Sequence, residues 1–345
     1  MYRKLSLAFA VGALMLAGCG DDDDAGSDSA SATADTGTGA LTVYSGRDEE
    51  LVAPLIERYE RETGNEVEVR YGDTAELAST IVEEGDNSPA DVFFGQDAGA
   101  LGALQNENRL IELDSELLDS VPAAFRSAEG NWVGTSARAR IIAYDTRKVQ
   151  QADLPESILD LTDEEWKGRV GWAPTNGSFQ SFITALRLTE GDDDAKAFVE
   201  GLKDNDAEVY DGNTAIRDAI SNGEVEIGLI NHYYVAAARD EEGDDYPVGI
   251  HQPAGDIGSL VNIAGAGVLA SSDQQNAATE FVRYLLSENA QKYFADETFE
   301  YPVSADVPAD DSLTPLADID QPDVDLSKID DLQGTVKLLQ DAGVL

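Results

Sequence analysis

The sequence predicts an α/β protein organised as two domains or two lobes, and three observations carry that prediction. From about Ala40 onward, strand-like apolar runs alternate with helical stripes, the pattern of a parallel sheet joined by crossover helices. The chain has 345 residues, more than one core usually organises. Its 42% apolar content can fill two such cores and excludes wholesale disorder.

The N-terminus reads as an export segment. Arg3 and Lys4 give a short basic start, and Leu5 to Leu16 form an apolar stretch too short to remain as a membrane-spanning helix. Leu16-Ala17-Gly18-Cys19 resembles a bacterial lipobox, and Cys19 is the only cysteine in the chain. The expectation is a signal peptide over residues 1–18, cut before Cys19, whose thiol then carries the lipid that anchors the protein to a membrane. Residues 19–39 hold Asp, Ser, Gly, Ala and Thr with no large apolar side chain, so a flexible acidic linker is expected there. Within it, Asp21 to Asp24 read as a solvated charge run.

Beyond the linker, Leu41-Thr42-Val43-Tyr44 is a strand, and Glu49 to Arg61 places Leu51, Val52, Leu55, Ile56 and Tyr59 on one helical face that Gly64 ends. Val67 and Val69 alternate with charged neighbours as a second strand. Leu77, Ala78, Ile81 and Val82 form the next helical stripe, and Asp91-Val92-Phe93-Phe94 a buried strand. Ligands in such sheets bind at the carboxyl ends of the strands, which singles out Ser45-Gly46-Arg47-Asp48 and Gly95-Gln96-Asp97. Further on, Arg140 to Tyr144 reads as a strand, and Ala195, Phe198, Val199 and Leu202 as a helix. Ala215 to Ile220 is helical before a strand over Val225 to Ile230. Ala277 to Leu286 and Leu332 to Leu345 are the last helices.

Composition removes several function classes. Acidic residues number 68 against 23 basic ones, a net charge of −45 that repels polyanions and excludes a nucleic-acid partner. Such a surplus reads first as surface solubility. One cysteine leaves no intramolecular disulfide and no thiolate metal centre, and two histidines, His232 and His251, leave no multi-histidine site. Gly-x-Ser-x-Gly, His-Glu-x-x-His and phosphate-loop signatures are absent from the sequence, so a secreted enzyme is a weak reading.

Six segments then fall in a familiar order. Tyr44-Ser45-Gly46-Arg47, Pro89 to Phe94, Ser136-Ala137-Arg138-Ala139-Arg140, Trp166-Lys167-Gly168, Pro174 to Phe179 and Asn231-His232-Tyr233-Tyr234, with Glu300-Tyr301-Pro302 near the end, resemble bacterial ferric-iron-binding proteins, the extracytoplasmic receptors of iron ABC importers. The resemblance spans about Leu41 to Leu345. It implies a two-lobed clamshell of the type II periplasmic-binding-protein kind, each lobe a mixed sheet flanked by helices. The implied first lobe is 40–137 plus 262–312 and the second 138–261 plus 313–345.

Tyr233 and Tyr234 are the most informative pair. Two phenolates are hard oxygen donors suited to a small trivalent cation, and binding would release their protons. Adjacent tyrosines also simply pack at an interface with their hydroxyls in water. The resemblance favours the ligand reading. It also exposes departures: Asp48 stands where better-known receptors have histidine, Gln96 where they have glutamate, and Phe179 near a third tyrosine of other members. Tyr233, Tyr234 and Asp48 are therefore the expected metal ligands, with Gln96 and Asp97 beside them in the cleft.

The small-residue turn Asn176-Gly177-Ser178 before a helix either offers backbone N–H groups to an anion or simply caps that helix. The resemblance implies a synergistic phosphate or carbonate held there together with Asn213 and Asn231, while Arg138 and Arg140 either add charge or pair with surface carboxylates. Three function classes follow. The first is a lipid-anchored, monomeric receptor that takes Fe3+ or a ferric chelate to an ABC permease on the extracytoplasmic face of the membrane. The second keeps the fold but carries a polyamine, thiamine, sulfate or phosphonate. The third is the enzyme disfavoured above.

Overall fold

The computed structural model describes residues 39–243, 245–303 and 307–345, so the predicted signal peptide, Cys19 and nearly all of the linker lie outside the described residues. The chain opens with β1 (Leu41–Ser45), α1 (Glu49–Thr63), β2 (Val67–Tyr71), α2 (Thr74–Glu84), β3 (Val92–Gly95), α3 (Ala98–Asn106) and a short α4 (Ser115–Asp119). A long strand β4 (Val133–Asp145) follows, then β5 (Val170–Trp172), α5 (Gly177–Glu190), α6 (Asp192–Asp204) and β6 (Glu208–Val209). Next come α7 (Asn213–Asn222), β7 (Ile227–Asn231), α8 (His232–Glu242), β8 (Val248–His251) and β9 (Val261–Val268). The chain closes with α9 (Gln275–Leu285), α10 (Glu288–Asp296), β10 (Tyr301–Pro302) and α11 (Leu332–Asp341).

Strand pairing divides into two sets that share β4. In the first, β1 pairs in parallel with β2 and β3, as the crossover helices require, and β9 enters antiparallel between β3 and β4. The second set is built on the other half of β4, with β7 and β8 antiparallel to it and β5 and β6 continuing in parallel beside β7. The exchange of partners falls at Ala139 and Arg140, where β4 leaves β9 and takes up β7. Both sets are therefore mixed sheets, and one strand carries the chain across.

Local chemistry sets the ends of the helices. Gly64 closes α1 in a left-handed conformation, φ 76°, and its N–H bonds the Glu60 carbonyl at 2.8 Å. Asp73, Asp97 and Asn176 cap α2, α3 and α5, each accepting hydrogen bonds from N–H groups of the first turn. The C-terminal segment bridges two of these helices: the Ile329 carbonyl lies against Gly99 of α3, where a Cβ would come within 2.4 Å of it, and α11 packs on α5 and α6.

Candidate functional site

The carboxyl ends of the strands and the N-termini of the helices that follow them meet at one cavity of about 230 Å³. Gly46 and Asp48 reach it from the β1–α1 turn, Gly72, Asp73 and Thr74 from β2–α2, and Gln96 from β3–α3. From the other strand set come Asn176, Gly177 and Ser178 at the start of α5, Asn213 at the start of α7, and Tyr234 in the first turn of α8. Six helix N-termini thus bring partial positive charge to one gap, a setting that stabilises anions and anionic ligands.

The tyrosine pair sits on the first turn of α8. Its rings are 4.3 Å apart, centroid to centroid, and inclined by 31°. Tyr233 is 2% exposed, and Gln96 Nε2 donates to its hydroxyl at 3.4 Å, so the phenol of one strand set is met by a side chain of the other. Burial raises the Tyr233 pKa, with the Glu300 carboxylate acting in the same direction and the Arg138 and Arg47 guanidiniums opposing it. Tyr234 is held well above the ordinary phenol value of 10 by burial first, then by Tyr233 and Asp48. Two phenols this close resist ionising together unless a cation sits between them.

The turn before α5 is an ordered donor and acceptor set. Asn176 Oδ1 accepts from the Ser178 N–H at 3.1 Å and from its hydroxyl at 2.6 Å, and Asn213 Nδ2 lies 3.4 Å from the same oxygen. The Gly177 position has open space where a side chain would stand. Ser178 also faces a second void of about 10 Å³ lined by Arg138, Arg140, Asn231 and Asn262.

Buried donors without partners among the described residues gather around that void: both terminal nitrogens of Arg138, Nε of Arg140 and Nδ2 of Asn231. A buried polar group left unpaired costs about 1–3 kcal/mol, more when charged, so their concentration marks a place for an acceptor. Arg138 is lowered in pKa by burial and by Arg47, with Tyr233 and Asp97 working against that shift. Arg140 is pulled down to about 9 by burial and by Arg138. Its guanidinium lies over Phe179 and Phe182 at 5.5 and 5.4 Å and donates to the Leu229 carbonyl at 2.7 Å. Phe179 is therefore part of the wall that holds Arg140. Among the described residues neither arginine pairs with a surface carboxylate.

Of the residues expected in the site, Asp48, Gln96, Asn176, Gly177, Ser178, Asn213 and Tyr234 line the main cavity. Tyr233 is not among the lining residues: it lies buried behind Tyr234 and is joined to the cavity by its hydrogen bond from Gln96. Arg138, Arg140 and Asn231 lie at the adjoining void. Asp97 lines neither: it is buried, caps α3 by accepting from the Ala100 N–H at 3.1 Å, and burial raises its pKa. His232 acts as a tie, since Nδ1 accepts from the Ala139 N–H at 3.1 Å while Nε2 bonds the Phe299 carbonyl at 2.8 Å.

Sequence reading missed Asp73 and Thr74, although the rule that drew attention to the ends of β1 and β3 applies equally to the end of β2. It also left the role of Glu300 open. That carboxylate receives both terminal nitrogens of Arg47, at 3.1 and 2.7 Å, with both side chains fully buried, and both charges act on Tyr233. Burial opposes the Arg47 charge, and Glu300 more than offsets it, so the guanidinium pKa is raised.

A family model described as bacterial extracellular solute-binding protein matches residues 87–327. The chain belongs to this family. It is 33% identical over 308 residues to the Fe(3+)-binding periplasmic protein of Serratia marcescens, with 88% of this chain and 90% of that one covered. It is also 33% identical over 314 residues to the major ferric iron-binding protein of Neisseria meningitidis serogroup B, covering 88% and 93%. Among solved structures, iron-bound HitA from Pseudomonas aeruginosa matches with a TM-score of 0.84 at 34% identity, covering 88% of this chain and 99% of that one. The two strand sets are accordingly the two lobes of a type II periplasmic-binding-protein fold, and the cavity lies between them. Among the described residues no helix is long and apolar enough to cross a membrane.

Proposed function

We propose that this protein captures ferric iron in the interlobe cavity, together with a small oxyanion such as phosphate or carbonate, and delivers it to the permease of an ABC transporter. The observation that carries the reading is the pair of tyrosine rings 4.3 Å apart, with Tyr234 lining the cavity and Tyr233 hydrogen-bonded to cavity-lining Gln96. A hard trivalent cation is what draws two adjacent phenols into the phenolate form, and Asp48 adds a hard carboxylate from the opposite lobe. The oxyanion would take the N–H groups at Gly177 and Ser178 and the hydrogen-bonding side chains of Ser178 and Asn213, with Arg138, Arg140 and Asn231 supplying positive charge and donors behind them. Gln96 is neutral and acts by orienting the Tyr233 hydroxyl.

In the same proposal the mature protein is a monomer held by lipid on Cys19 at the extracytoplasmic face of the membrane, after removal of residues 1–18, and residues 19–39 are its tether. The lobes comprise 40–137 plus 262–312 and 138–261 plus 313–345. Binding is its task, and no turnover is expected. Closure of the lobes about the strand they share would bring Asp48 toward the tyrosines, which Gln96 already reaches.

The test is titration of the purified protein with ferric citrate. Phenolate ligation predicts a visible charge-transfer absorption that saturates at one iron per chain and disappears on reduction. Tyr233→Phe with Tyr234→Phe should abolish it and the affinity with it. A colourless wild-type protein, or a double variant of unchanged affinity, defeats the reading. The converging helix N-termini favour one second reading, an oxyanion as the whole cargo; phosphate or sulfate would then raise the melting temperature fully without iron.

A further inference from the structure

We propose that Asp73 supplies a second carboxylate to the ferric cargo from the lobe that carries Asp48, an inference that rests on reading the cavity as an iron site. Asp73 lines the same cavity as Asp48, Gln96 and Tyr234. Its two oxygens are used unequally. Oδ1 caps α2, accepting from the N–H groups of Ala75 at 2.9 Å and Glu76 at 3.2 Å. Oδ2 has no hydrogen bond or ion pair to the described residues, which leaves one oxygen for a ligand.

The turns that carry these side chains are stitched edge to edge. The Thr74 hydroxyl donates to the Gly46 carbonyl at 3.0 Å and accepts from the Gln96 N–H at 3.4 Å. Asp48, Asp73 and Gln96 therefore come from three adjacent turns, held in one array facing the second lobe. The β3–α3 turn offers only the neutral amide of Gln96 to a cation. The turn beside it places a carboxylate at the same cavity, so the anionic donor is displaced by one turn rather than lost.

Charge balance points the same way. Two phenolates and Asp48 carry three negative charges and match a ferric ion. The surroundings hold Arg138 and Arg140, offset only by Asp97, because Arg47 and Glu300 cancel each other. One positive charge is left over before any anion enters, so the surroundings accommodate a further negative donor beside the oxyanion. Asp73 is exposed, so solvent screens its field and its effect on a bound cation depends on direct contact with it.

Asp73→Asn separates ligation from capping, because asparagine caps a helix as well as aspartate does. Ferric affinity is to be measured by citrate competition, with absorption spectra, for the wild type, Asp73→Asn and Asp73→Ser, alongside melting of the iron-free proteins. The expected result is an affinity lower by about ten- to a hundredfold in both variants, with an altered charge-transfer band and iron-free melting like wild type. Glu76→Gln, which removes the same charge one turn along on the exposed side of α2, should bind iron as the wild type does. Wild-type affinity in Asp73→Asn, while the double tyrosine variant loses iron, overturns this inference and leaves the iron site standing. An equal loss in Glu76→Gln also overturns it, as a field effect without ligation. Failure of the wild type to take up iron defeats the underlying reading itself.

Discussion

Ferric uptake is expected to release two protons, one from each phenol of the Tyr233–Tyr234 pair, and the perturbation that exposes this is pH. Burial raises both hydroxyls above the ordinary value of 10, with Glu300 adding to the effect on Tyr233 and the pair partner adding to it on Tyr234. Both are therefore protonated in the iron-free protein throughout the neutral range, and each phenolate that ligates iron sheds its proton at that moment. Affinity then rises with pH by two powers of ten per unit, about 2.7 kcal/mol, and falls equally steeply as pH drops. His232 adds nothing near neutrality, because burial holds its pKa down to about 4 and it stays neutral there.

The assay is chelator competition at three pH values from about pH 6 to about pH 8, corrected for the protonation of the chelator, with direct proton counting in weak buffer. Beyond the protons exchanged by the bound oxyanion, counted separately, a slope of two is expected for the wild type and of one for Tyr234→Phe. A wild-type slope of one or less refutes joint ligation by the pair.

Three further outcomes follow from the packing beneath the cavity. Glu300→Gln leaves the fully buried Arg47 without its counter-charge and should cost about 3–5 kcal/mol in denaturant unfolding; a loss below about 1 kcal/mol would contradict the assigned pairing. Because His232 is held at about 4 against 6.5 when unfolded, its contribution is present above the unfolded value and is lost as pH falls toward the folded one. That loss is roughly 3 kcal/mol, and His232→Gln should lack this part of the acid sensitivity in matched urea titrations. In Gly46→Ala the added Cβ would lie 2.1 Å from the Thr74 hydroxyl and 2.8 Å from its Cα, forcing two site turns apart. A loss of about 1–3 kcal/mol with weaker ferric binding is expected, and wild-type behaviour in both assays would count against the stitched array.

Much of this was legible in the residues wherever burial follows a period. The stripe of α1 and its stop at Gly64, the apolar β3, and the helices α6, α7 and α9 all present regular patterns, and they form close to where those patterns lie. β4 begins at Val133, well before the apolar run at Ile141, because its first half is small and polar yet buried between β9 and β10. β9, Val-Asn-Ile-Ala-Gly-Ala-Gly-Val, hides for the same reason: glycines at 265 and 267 are needed for close approach, since a Cβ at either would meet backbone or side chain within 3 Å. At the site, the tyrosine pair and the Asn176 turn were visible as motifs. Asp73 was not, because an aspartate before a helix reads first as a cap, and only the meeting of three turns shows that its second oxygen is free for another task.

The most direct measurement is a crystal structure of the iron-loaded protein with anomalous data collected at the iron edge. One strong anomalous peak is expected between the lobes, bonded to the hydroxyl oxygens of both Tyr233 and Tyr234. A peak bonded to neither oxygen, or a saturated protein with no peak in this cavity, would contradict that expectation.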